Sequence, residues 1–479
     1  MEGIISYSAY VPWLRLTPET IGWEYPFERA VANFDEDPIT MGVAAGKLCL
    51  ENVDPSSVKA LLFCSASAPY AEKQNASVVA SALNLSTDII TLDVGNSLRG
   101  GSTALSIGTE MLNSSSPGSI LVIASDARLA MPRSVLDTSI GDGAAAILLG
   151  TEGVLATIEN KSSHSSIMYD VWRHGHDKFV SQWEDRFVSD NGIESILVNS
   201  IRSILQDHLI DISKLYKIAC NPSSIRQSHK IRQSIHGQEN QFNTLLLNTV
   251  GNTGTAMTLM ELCLALDQAT EAGQYICASS YGDGVDTFLI KTTDLCDSVE
   301  RHRSALGSLI NSKHSVPSYE EYATIKGFWP ISDSVRRPDV APTSVPALHR
   351  EQEKNIQFHA QRCNNCGYVQ YPIQTICVNC QGQHTYSVIR LDSEKATLFT
   401  YSMDYLAGSM DVPLVICTVN FDIGGRLLCV MTDRSIEDIY VGMPLGMSFR
   451  KITESNGITS YFWKATPIRI IEGDTYERH

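Results

Sequence analysis

The sequence predicts a layered α/β fold made of two similar halves, followed by a small cysteine-rich segment and a compact all-β domain. Short apolar runs alternate with helical stretches from the amino terminus to about residue 296. One series of helix, strand, turn and strand occurs twice in that region, and Val-, Ile- and Phe-rich stretches recur from residue 395 onward. The length of 479 residues is itself typical of two to three domains, because one hydrophobic core rarely serves so long a chain.

Five continuous apolar runs predict the strands of the α/β region. Their composition is typical of strands that are buried on both faces. Alternation of such strands with helices is expected of a sheet covered by layers of helices. The runs are 60–64, 120–124, 144–149, 275–278 and 287–290.

An internal repeat indicates a duplicated fold. Residues 94–97 (Val-Gly-Asn-Ser) open a small-residue helix, followed by a strand and a Gly-Asp-Gly turn within 139–143. Residues 250–253 (Val-Gly-Asn-Thr) open a second helix at 258–269, followed again by a strand and a Gly-Asp-Gly turn within 280–284. Chance agreement between two Gly-rich turns is the alternative to duplication.

Four grouped cysteines predict a metal site. Cys363, Cys366, Cys377 and Cys380 form two CxxC pairs separated by ten residues. Two such knuckles close a tetrahedral tetrathiolate site that suits zinc and leaves no position open for a substrate. The alternative, a redox dithiol, requires one CxxC at a helix start and not two matched pairs. A structural zinc ribbon is therefore predicted.

The sequence after the ribbon predicts a small β-barrel. Apolar stretches at 414–421 and 427–431 flank a Gly-Gly turn signal at 423–425, which predicts a hairpin. Several such strands in about 85 residues are typical of a small barrel. Before the ribbon, Pro and charged residues concentrate between about 304 and 355, which predicts a linker that contains a short helix at 318–326.

These observations divide the chain into four predicted parts. They are an α/β domain at 1–300, a linker or strap at 301–346, a zinc ribbon at 347–392 and a barrel at 393–479.

Composition excludes several classes of function. The net charge of −16 argues against binding to nucleic acids or anionic membranes, since both require a basic surface. The sequence contains no apolar run of about 18 residues and no secretory signal, so we expect a cytoplasmic protein. The eight cysteines outside the ribbon are scattered singly within apolar runs, as is typical of reduced thiols.

A motif at 93–102 carries a family resemblance. Its sequence, Asp-Val-Gly-Asn-Ser-Leu-Arg-Gly-Gly-Ser, resembles the Asn-Ala-Cys-Tyr-Gly-Gly-Thr segment of hydroxymethylglutaryl-CoA synthases and the Ala-Cys-Ala-Gly segment of ketoacyl-ACP synthase III. Both families belong to the thiolase superfamily. The resemblance implies the duplicated thiolase fold, and it places Leu98 where these enzymes carry their nucleophilic cysteine.

Two further motifs extend the resemblance to the synthases. Residues 65–70 resemble the archaeal Ser-Glu-Ser-His-Pro-Tyr segment, with Ala66 in place of the general-acid/base glutamate. Residues 219–223 resemble the Phe-His-Gln-Pro-Asn segment, with Cys220 in place of the histidine. The Gly-Asn-Thr motif is retained with Asn252. The resemblance thus implies a preserved frame with three substituted catalytic positions.

The substitutions limit the chemistry. Leucine has no nucleophile, so a thioester on Leu98 is excluded. Ser97 is an alternative nucleophile, although adjacent residues at a helix start point roughly 100° apart. Cys220 is another alternative nucleophile, although a cysteine at the end of a strand is more often simply a small buried residue. Asn252 and backbone N–H groups near Leu98 would still stabilise an oxyanion. This remainder favours aldol or retro-aldol chemistry on an acyl-CoA or acyl-carrier substrate, through a stabilised enolate.

Candidate proton-transfer residues come from two places. His174 and His176 lie in an insertion at 169–187 that is dense in titratable and aromatic residues, and either would act near neutral pH. Tyr281 lies beside a motif that faces the pocket in the resembled family. The alternative for the histidines is a solvated loop in which His and Asp satisfy each other.

A second resemblance covers about residue 347 to the end. Gly367 and Pro372 within the ribbon, followed by the barrel, resemble the acyl-CoA-associated zinc ribbon and OB-fold proteins first catalogued as domain of unknown function 35. That resemblance implies a rubredoxin-like ribbon, an OB-fold and assembly with a thiolase-like partner, which here is fused on one chain. The resemblance to the thiolase superfamily implies a homodimer through the thiolase-like half. A non-catalytic scaffold subunit and a non-covalent acyltransferase remain alternative functions.

Overall fold

The computed structural model shows two compact units, which are described separately. The first comprises Met1–Asn33 and Asp37–Tyr322, and the second comprises Phe34–Glu36 and Ala323–His479. The predicted four-part division is finer than these units, and its boundaries stay predictions. Of the predicted linker, 301–303 and 330–342 lie outside the described residues. The structure describes residues 2–22, 27–114, 118–297, 304–329, 343–383, 385–407 and 409–468.

The first unit is built around one large mixed sheet. Its order is β11, β12, β13, β8, β1, β7, β6, β4 and β5. The strands in chain order are β1 (Gly3–Tyr10), β2 (Leu14–Leu16), β3 (Arg29–Val31), β4 (Val58–Ser65), β5 (Ile90–Gly95), β6 (Ser119–Asp126), β7 (Gly143–Gly150), β8 (Ala156–Ser165), β9 (Val171–Trp172), β10 (Ser181–Gln182), β11 (Leu215–Cys220), β12 (Tyr275–Tyr281), β13 (Gly284–Thr292) and β14 (His314–Ser315).

Helices flank this sheet, and a ten-residue π-helical segment, Ser189–Val198, lies between two of them. The last helix below crosses the boundary between the units. The helices are α1 (Pro18–Ile21), α2 (Pro38–Cys49), α3 (Asn75–Ala82), α4 (Gly100–Ser114), α5 (Val135–Ser139), α6 (Asp185–Val188), α7 (Asn199–Asp207), α8 (Ile225–Ile235), α9 (Leu245–Thr249), α10 (Met257–Gln268), α11 (Leu306–Asn311) and α12 (Tyr319–Ile325).

The sheet confirms the predicted duplication. In one half, β4 and β6 run parallel, and β6, β7 and β1 are antiparallel neighbours. In the other half, β11 and β12 run parallel, and β12, β13 and β8 are antiparallel neighbours. Pairing of β1 with β8 joins the halves. Each of the five predicted apolar runs lies within a strand of this sheet.

Helix α10 forms the centre of the first unit. All residues from Met257 to Leu266 are buried, and the helix packs against strands of both halves. A helix that is apolar on nearly every side is stable only when it is enclosed. Among the buried residues of α10, Glu261 carries a carboxyl group into this core.

Burial changes the titration of Glu261. Loss of hydration raises the pKa of its carboxyl to about 8, and Lys217 and a hydrogen bond with Asn243 offset only part of that effect. The folded state therefore holds the proton more tightly than the unfolded chain does. The resulting stabilisation is fully present below the unfolded pKa of 4.5 and is lost as pH rises towards 8.

We expect Glu261→Gln to stabilise the protein at high pH, because glutamine does not ionise in the core. The shift of the pKa from 4.5 to about 8 sets an upper limit on the order of 5 kcal/mol. Melting temperatures at pH 5 and pH 8.5 test this, with the exposed Glu271→Gln as a control. The gain over wild type should be larger at pH 8.5, and an equal gain at both pH values would contradict the account.

The second unit contains two small antiparallel sheets. Strands β15, β16 and β17 form the first sheet, and β18 to β22 form the second. The short helices that precede them are α13 (Val345–Arg350) and α14 (Gln352–Asn355). The strands are β15 (His359–Cys363), β16 (Val369–Gln370), β17 (Tyr386–Arg390), β18 (Ala396–Asp404), β19 (Leu414–Phe421), β20 (Arg426–Val430), β21 (Pro444–Ser455) and β22 (Ile458–Pro467).

The five-stranded sheet contains the predicted hairpin and closes on itself. Its order is β20, β19, β18, β21 and β22, and the end strands meet where Met431 pairs with Ala465. Fully buried Phe358 and Trp463 stack with ring centroids 5.5 Å apart and form part of the interior. Five antiparallel strands with this closing contact agree with a small barrel, and the OB-fold assignment stays a prediction.

A buried charge cluster also belongs to the second unit. Asp35, from the segment Phe34–Glu36, accepts from Arg450 at 3.2 Å and from Lys464 at 2.8 Å. Arg450 is also 2.9 Å from Glu36. Burial alone raises the pKa of the Asp35 carboxyl, but the two cations outweigh burial and lower it. A chain segment far away in sequence thereby neutralises two buried cations of the barrel.

Candidate active site

The predicted site segments lie at the ends of strands. Ala66 follows β4, Leu98 follows β5, Cys220 ends β11 and Tyr281 ends β12. The segments of the two halves touch at Gly282, where an added Cβ would lie 3.0 Å from the backbone nitrogen of Arg99 and 3.1 Å from that of Leu98. The fold therefore brings the segments together, as the motif resemblance implies.

Asp126 joins two of these segments. Its fully buried carboxylate accepts at Oδ1 from the Ser65 hydroxyl, the Ala66 backbone N–H and the Ser67 hydroxyl, at 2.7 to 3.0 Å. At Oδ2 it accepts from the Thr255 backbone N–H at 2.8 Å and the Thr255 hydroxyl at 2.9 Å. Asp126 thereby holds the loop after β4 against the turn before α10.

Asn252 is held in one orientation. Its Nδ2 donates to the Pro222 carbonyl at 2.9 Å, and its Oδ1 accepts from Arg128 at 2.7 Å and from the Gly254 backbone N–H at 3.0 Å. A 3₁₀ turn separates Asn252 from the first residue of α10, Met257. One of the two amide hydrogens is thus committed to Pro222, which leaves the other to act on a bound group.

Arg128 is a buried cation that sequence reasoning missed. Burial lowers the pKa of its guanidinium, while Asp126, Asp142 and Asp170 act in the opposite direction. Its Nε has no hydrogen-bond partner among the described residues. The one sequence signal that could have indicated Arg128 as a site residue is its position two residues after the end of β6. That signal is weak. Arg128 brings positive charge to the side of Asn252 that faces away from Pro222.

Cys220 has the environment of an inert thiol. It is buried, and burial, together with the nearby Glu261, raises the pKa of its thiol well above the usual range. A neutral thiol is a poor nucleophile. Its neighbour Asn221 exchanges two hydrogen bonds with the backbone of Tyr281, both at 2.8 Å, and so links the ends of β11 and β12.

The Tyr281 hydroxyl lies within this region without a hydrogen-bond partner among the described residues. It packs against the π-helical segment so closely that a Cβ added at Gly192 would lie 2.2 Å from it. Burial raises the pKa of Tyr281, and Asp170 and Asp283 add to the increase. The neutral phenol is therefore a hydrogen-bond donor at physiological pH.

The two candidate histidines lie on the surface. The rings of His174 and His176 stack on each other with centroids 5.5 Å apart, and His176 is 3.4 Å from Asp177. Arg173 beside them donates to the Ala66 carbonyl at 3.1 Å, so the same loop does reach the site. The arrangement agrees with the solvated-loop alternative for the histidines, and their catalytic role stays a prediction.

A cavity of about 270 Å³ opens beside α8. Two aromatic side chains, Phe27 and Phe242, line it together with His229 and Arg232. Arg232 is 3.4 Å from the exposed carboxylate of Glu239. The cavity, which Glu239 also lines, therefore combines aromatic surface with an Arg–Glu ion pair.

The four ribbon cysteines form the predicted metal site. Their Sγ atoms all lie within 4.8 Å of one another. Cys363 and Cys380 are 3.8 Å apart, and Cys366 and Cys377 are 3.6 Å apart. A tetrahedral zinc with Zn–S bonds of about 2.3 Å requires sulfur atoms about 3.8 Å apart, so the residues fit zinc.

Comparisons with known proteins bear out both resemblances. Residues 354–385 match the family model described as ChsH2, rubredoxin-like zinc ribbon domain. The hydroxymethylglutaryl-CoA synthase of Thermococcus gammatolerans is 27% identical over 305 residues, which cover 61% of this chain and 87% of the relative. The synthase of Aeropyrum pernix is 27% identical over 342 residues, which cover 68% and 94%.

Solved structures confirm the fold. MvaS in complex with 3-hydroxy-3-methylglutaryl coenzyme A superposes with a TM-score of 0.61 at 19% identity, covering 71% of this chain and 94% of that chain. 3-Oxoacyl-(acyl carrier protein) synthase III from Pseudomonas aeruginosa superposes with a TM-score of 0.55 at 14% identity, covering 61% and 98%.

The fold is therefore thiolase-like. Within that class, the sequence relatives make the α/β region similar to hydroxymethylglutaryl-CoA synthases, and a zinc ribbon follows it on the same chain. Among the described residues, no helix is long and apolar enough to cross a membrane.

We expect Cys377→Ser to abolish zinc binding and unfold the ribbon, because binding energy at a structural tetrathiolate site is folding energy. Metal analysis should give one zinc per wild-type chain and close to none for the variant, and limited proteolysis should cut the variant near 354–385. The matched control is Cys429→Ala, a buried cysteine outside the cluster, which should retain zinc. Absence of zinc from purified wild-type protein would contradict the assignment.

Proposed function

We propose that this protein forms or cleaves a C–C bond next to the carbonyl of an acyl-CoA or acyl-carrier thioester. The chemistry is of the aldol or retro-aldol type, and it proceeds through an enolate without a covalent acyl-enzyme. The supporting observation is that Leu98, which has no nucleophile, occupies the expected cysteine position while the surrounding site remains assembled.

The neighbouring side chains offer no replacement for the cysteine. The Ser97 hydroxyl donates its proton to the Gly282 carbonyl at 2.9 Å, which is a backbone acceptor and not a base that would activate a nucleophile. Cys220 is buried and neutral. Covalent condensation of the ordinary kind is therefore not supported.

The retained groups suit a developing negative charge. Asn252 has one amide hydrogen that Pro222 does not use, and Arg128 adds a buried positive charge beside it. Donors and charges fixed in a dry site stabilise an oxyanion more than water does. An enolate of an acyl thioester carries such a charge on its oxygen, which is the species that this proposal requires.

Relatives support the thioester substrate. One similar structure is described as an HMG-CoA synthase complexed with CoA, and another as the Curacin HMG synthase in complex with acetyl donor-ACP. The cavity beside α8 favours CoA over a carrier protein, since Phe27 and Phe242 suit a purine ring and Arg232 suits a phosphate. Arg232 would have to leave Glu239 in order to bind that phosphate.

A non-catalytic scaffold is the second candidate. Replacement of three acyl-transfer side chains at Ala66, Leu98 and Cys220 is also the outcome expected after loss of activity. In that case the chain would support a thiolase-like partner subunit. The two functions differ in whether the purified chain turns over a substrate alone.

Incubation with a series of 3-hydroxyacyl-CoAs, and with acyl-CoAs plus aldehydes or ketones, tests the proposal. Mass spectrometry should detect the cleaved carbonyl compound and the shortened acyl-CoA, or the reverse. Asn252→Ala should lower turnover by about 10²-fold, the usual effect of removing one oxyanion donor. Intact mass should show no acyl adduct. A stable adduct at Ser97 would overturn the non-covalent mechanism, and absence of turnover without a partner would favour the scaffold.

We further propose that two copies associate through β5. This strand is the last in the order of the main sheet, and it carries the partly exposed Ile90 (57%) and Leu92 (39%). An exposed apolar edge strand is a site for pairing with another chain. Light scattering should give a dimer for wild type and a monomer for Ile90→Lys/Leu92→Lys, while Leu209→Lys, at an exposed position outside this sheet, should remain dimeric. A monomeric wild type at micromolar concentration would contradict the proposal.

A further inference from the structure

We propose that Asp170 is the general base of this site and supplies the carboxylate that is absent at Ala66. This inference rests on the proposed enolate chemistry and names the residue that moves its proton. Neither the sequence motifs nor residue type had singled out Asp170, which lies in the insertion beside the two histidines.

Backbone contacts fix the position of Asp170. It lies immediately before β9, and its Oδ1 accepts from the Val171 backbone N–H at 2.7 Å. Its carbonyl accepts from the Trp183 backbone N–H at 2.9 Å, across the β9–β10 hairpin. The same hairpin is tied to the site by the bond between Arg173 and the Ala66 carbonyl, at 3.1 Å. Asp170 is thus carried on an element that contacts the position of the missing carboxylate.

Charged groups from other segments of the site act electrostatically on Asp170. Arg128 from the loop after β6 attracts it, Asp283 from the turn after β12 repels it, and Tyr281 lies within the same electrostatic range. Burial, followed by Asp283, raises the pKa of the Asp170 carboxyl, and Arg128 offsets part of the increase. A carboxylate whose pKa is raised is a stronger base than an ordinary one.

Two other carboxylates around the site are already occupied. Asp126 accepts five hydrogen bonds from its two loops. Asp286 accepts from Arg99, Ser102, Thr103 and Ser163. By contrast, the Asp170 carboxylate accepts from two neighbouring backbone N–H groups, those of Val171 and of Asp170 itself. Its two oxygens have about four lone-pair sites, which leaves room for a substrate proton.

Asp170 alone can carry out both proton transfers of the reaction. In cleavage, the Asp170 carboxylate takes the proton of the β-hydroxyl, the O–H electron pair becomes the new C=O bond, and the Cα–Cβ bond breaks. Its electrons form the enolate of the thioester, whose oxygen lies against Asn252 and Arg128. Asp170 then returns the proton to Cα, which yields the acyl thioester and a carbonyl compound. In the reverse direction Asp170 first removes the Cα proton.

Exchange of Cα hydrogens in D₂O tests this role without requiring the natural carbonyl substrate. Propionyl-CoA is incubated with the full-length protein, and deuterium incorporation is followed by mass spectrometry. Wild type should catalyse exchange, and Asp170→Asn should lower the rate by about 10²-fold or more. Asp170→Glu should restore part of the rate. The matched control is Glu184→Gln, an exposed carboxylate in the same insertion, which should exchange as wild type does.

The outcomes separate the two proposals. Calorimetry should show that Asp170→Asn still binds propionyl-CoA with an affinity within a few-fold of wild type, so that the lost exchange reflects the base and not the site. Exchange by Asp170→Asn at the wild-type rate would overturn the role of Asp170 and leave the enolate chemistry standing. No exchange by wild type would overturn both.

Discussion

The candidate site depends on one buried carboxylate. Asp126 is fully buried and accepts five hydrogen bonds, three from the loop that carries Ala66 and two from Thr255 in the turn that precedes α10. A buried charge is costly unless it is hydrogen-bonded, and here the donors come from both halves of the duplicated fold. Loss of either loop would leave the charge under-satisfied, so each loop is fixed by the same requirement.

A second buried carboxylate does the same for the Leu98 segment. Asp286 accepts from Arg99, Ser102 and Thr103 at the start of α4, and from Ser163 on β8. The two buried carboxylates thus fix the segments that carry Ser65 to Ser67 and Arg99 to Thr103. The function proposed above relies on this frame, because it requires the segments around Ala66 and Leu98 to stay assembled although neither side chain supplies a nucleophile or a base.

The sequence predicted those features whose cause is local. Continuous apolar runs gave the strands because burial on both faces needs apolar residues at consecutive positions, and cysteine spacing gave the ribbon because zinc fixes the ligand geometry. Asp126, Arg128 and Asp170 could not be selected, since their importance comes from contacts with residues distant in sequence. His174 and His176 were chosen by residue type, and the structure places them on the surface. The assignment of Phe34–Glu36 to the second unit has the same non-local origin.

Asp126 holds the two halves of the candidate site together through these hydrogen bonds. Asp126→Asn tests this role most directly, because the new amide nitrogen cannot accept the hydrogen bonds of the loop that it faces. Amide hydrogen exchange of the folded variant, read by mass spectrometry, should be faster than in wild type in the peptide that contains Ala66 or the one that contains Thr255, with β1 and β7 unchanged as internal references. Wild-type protection in both peptides would contradict the account.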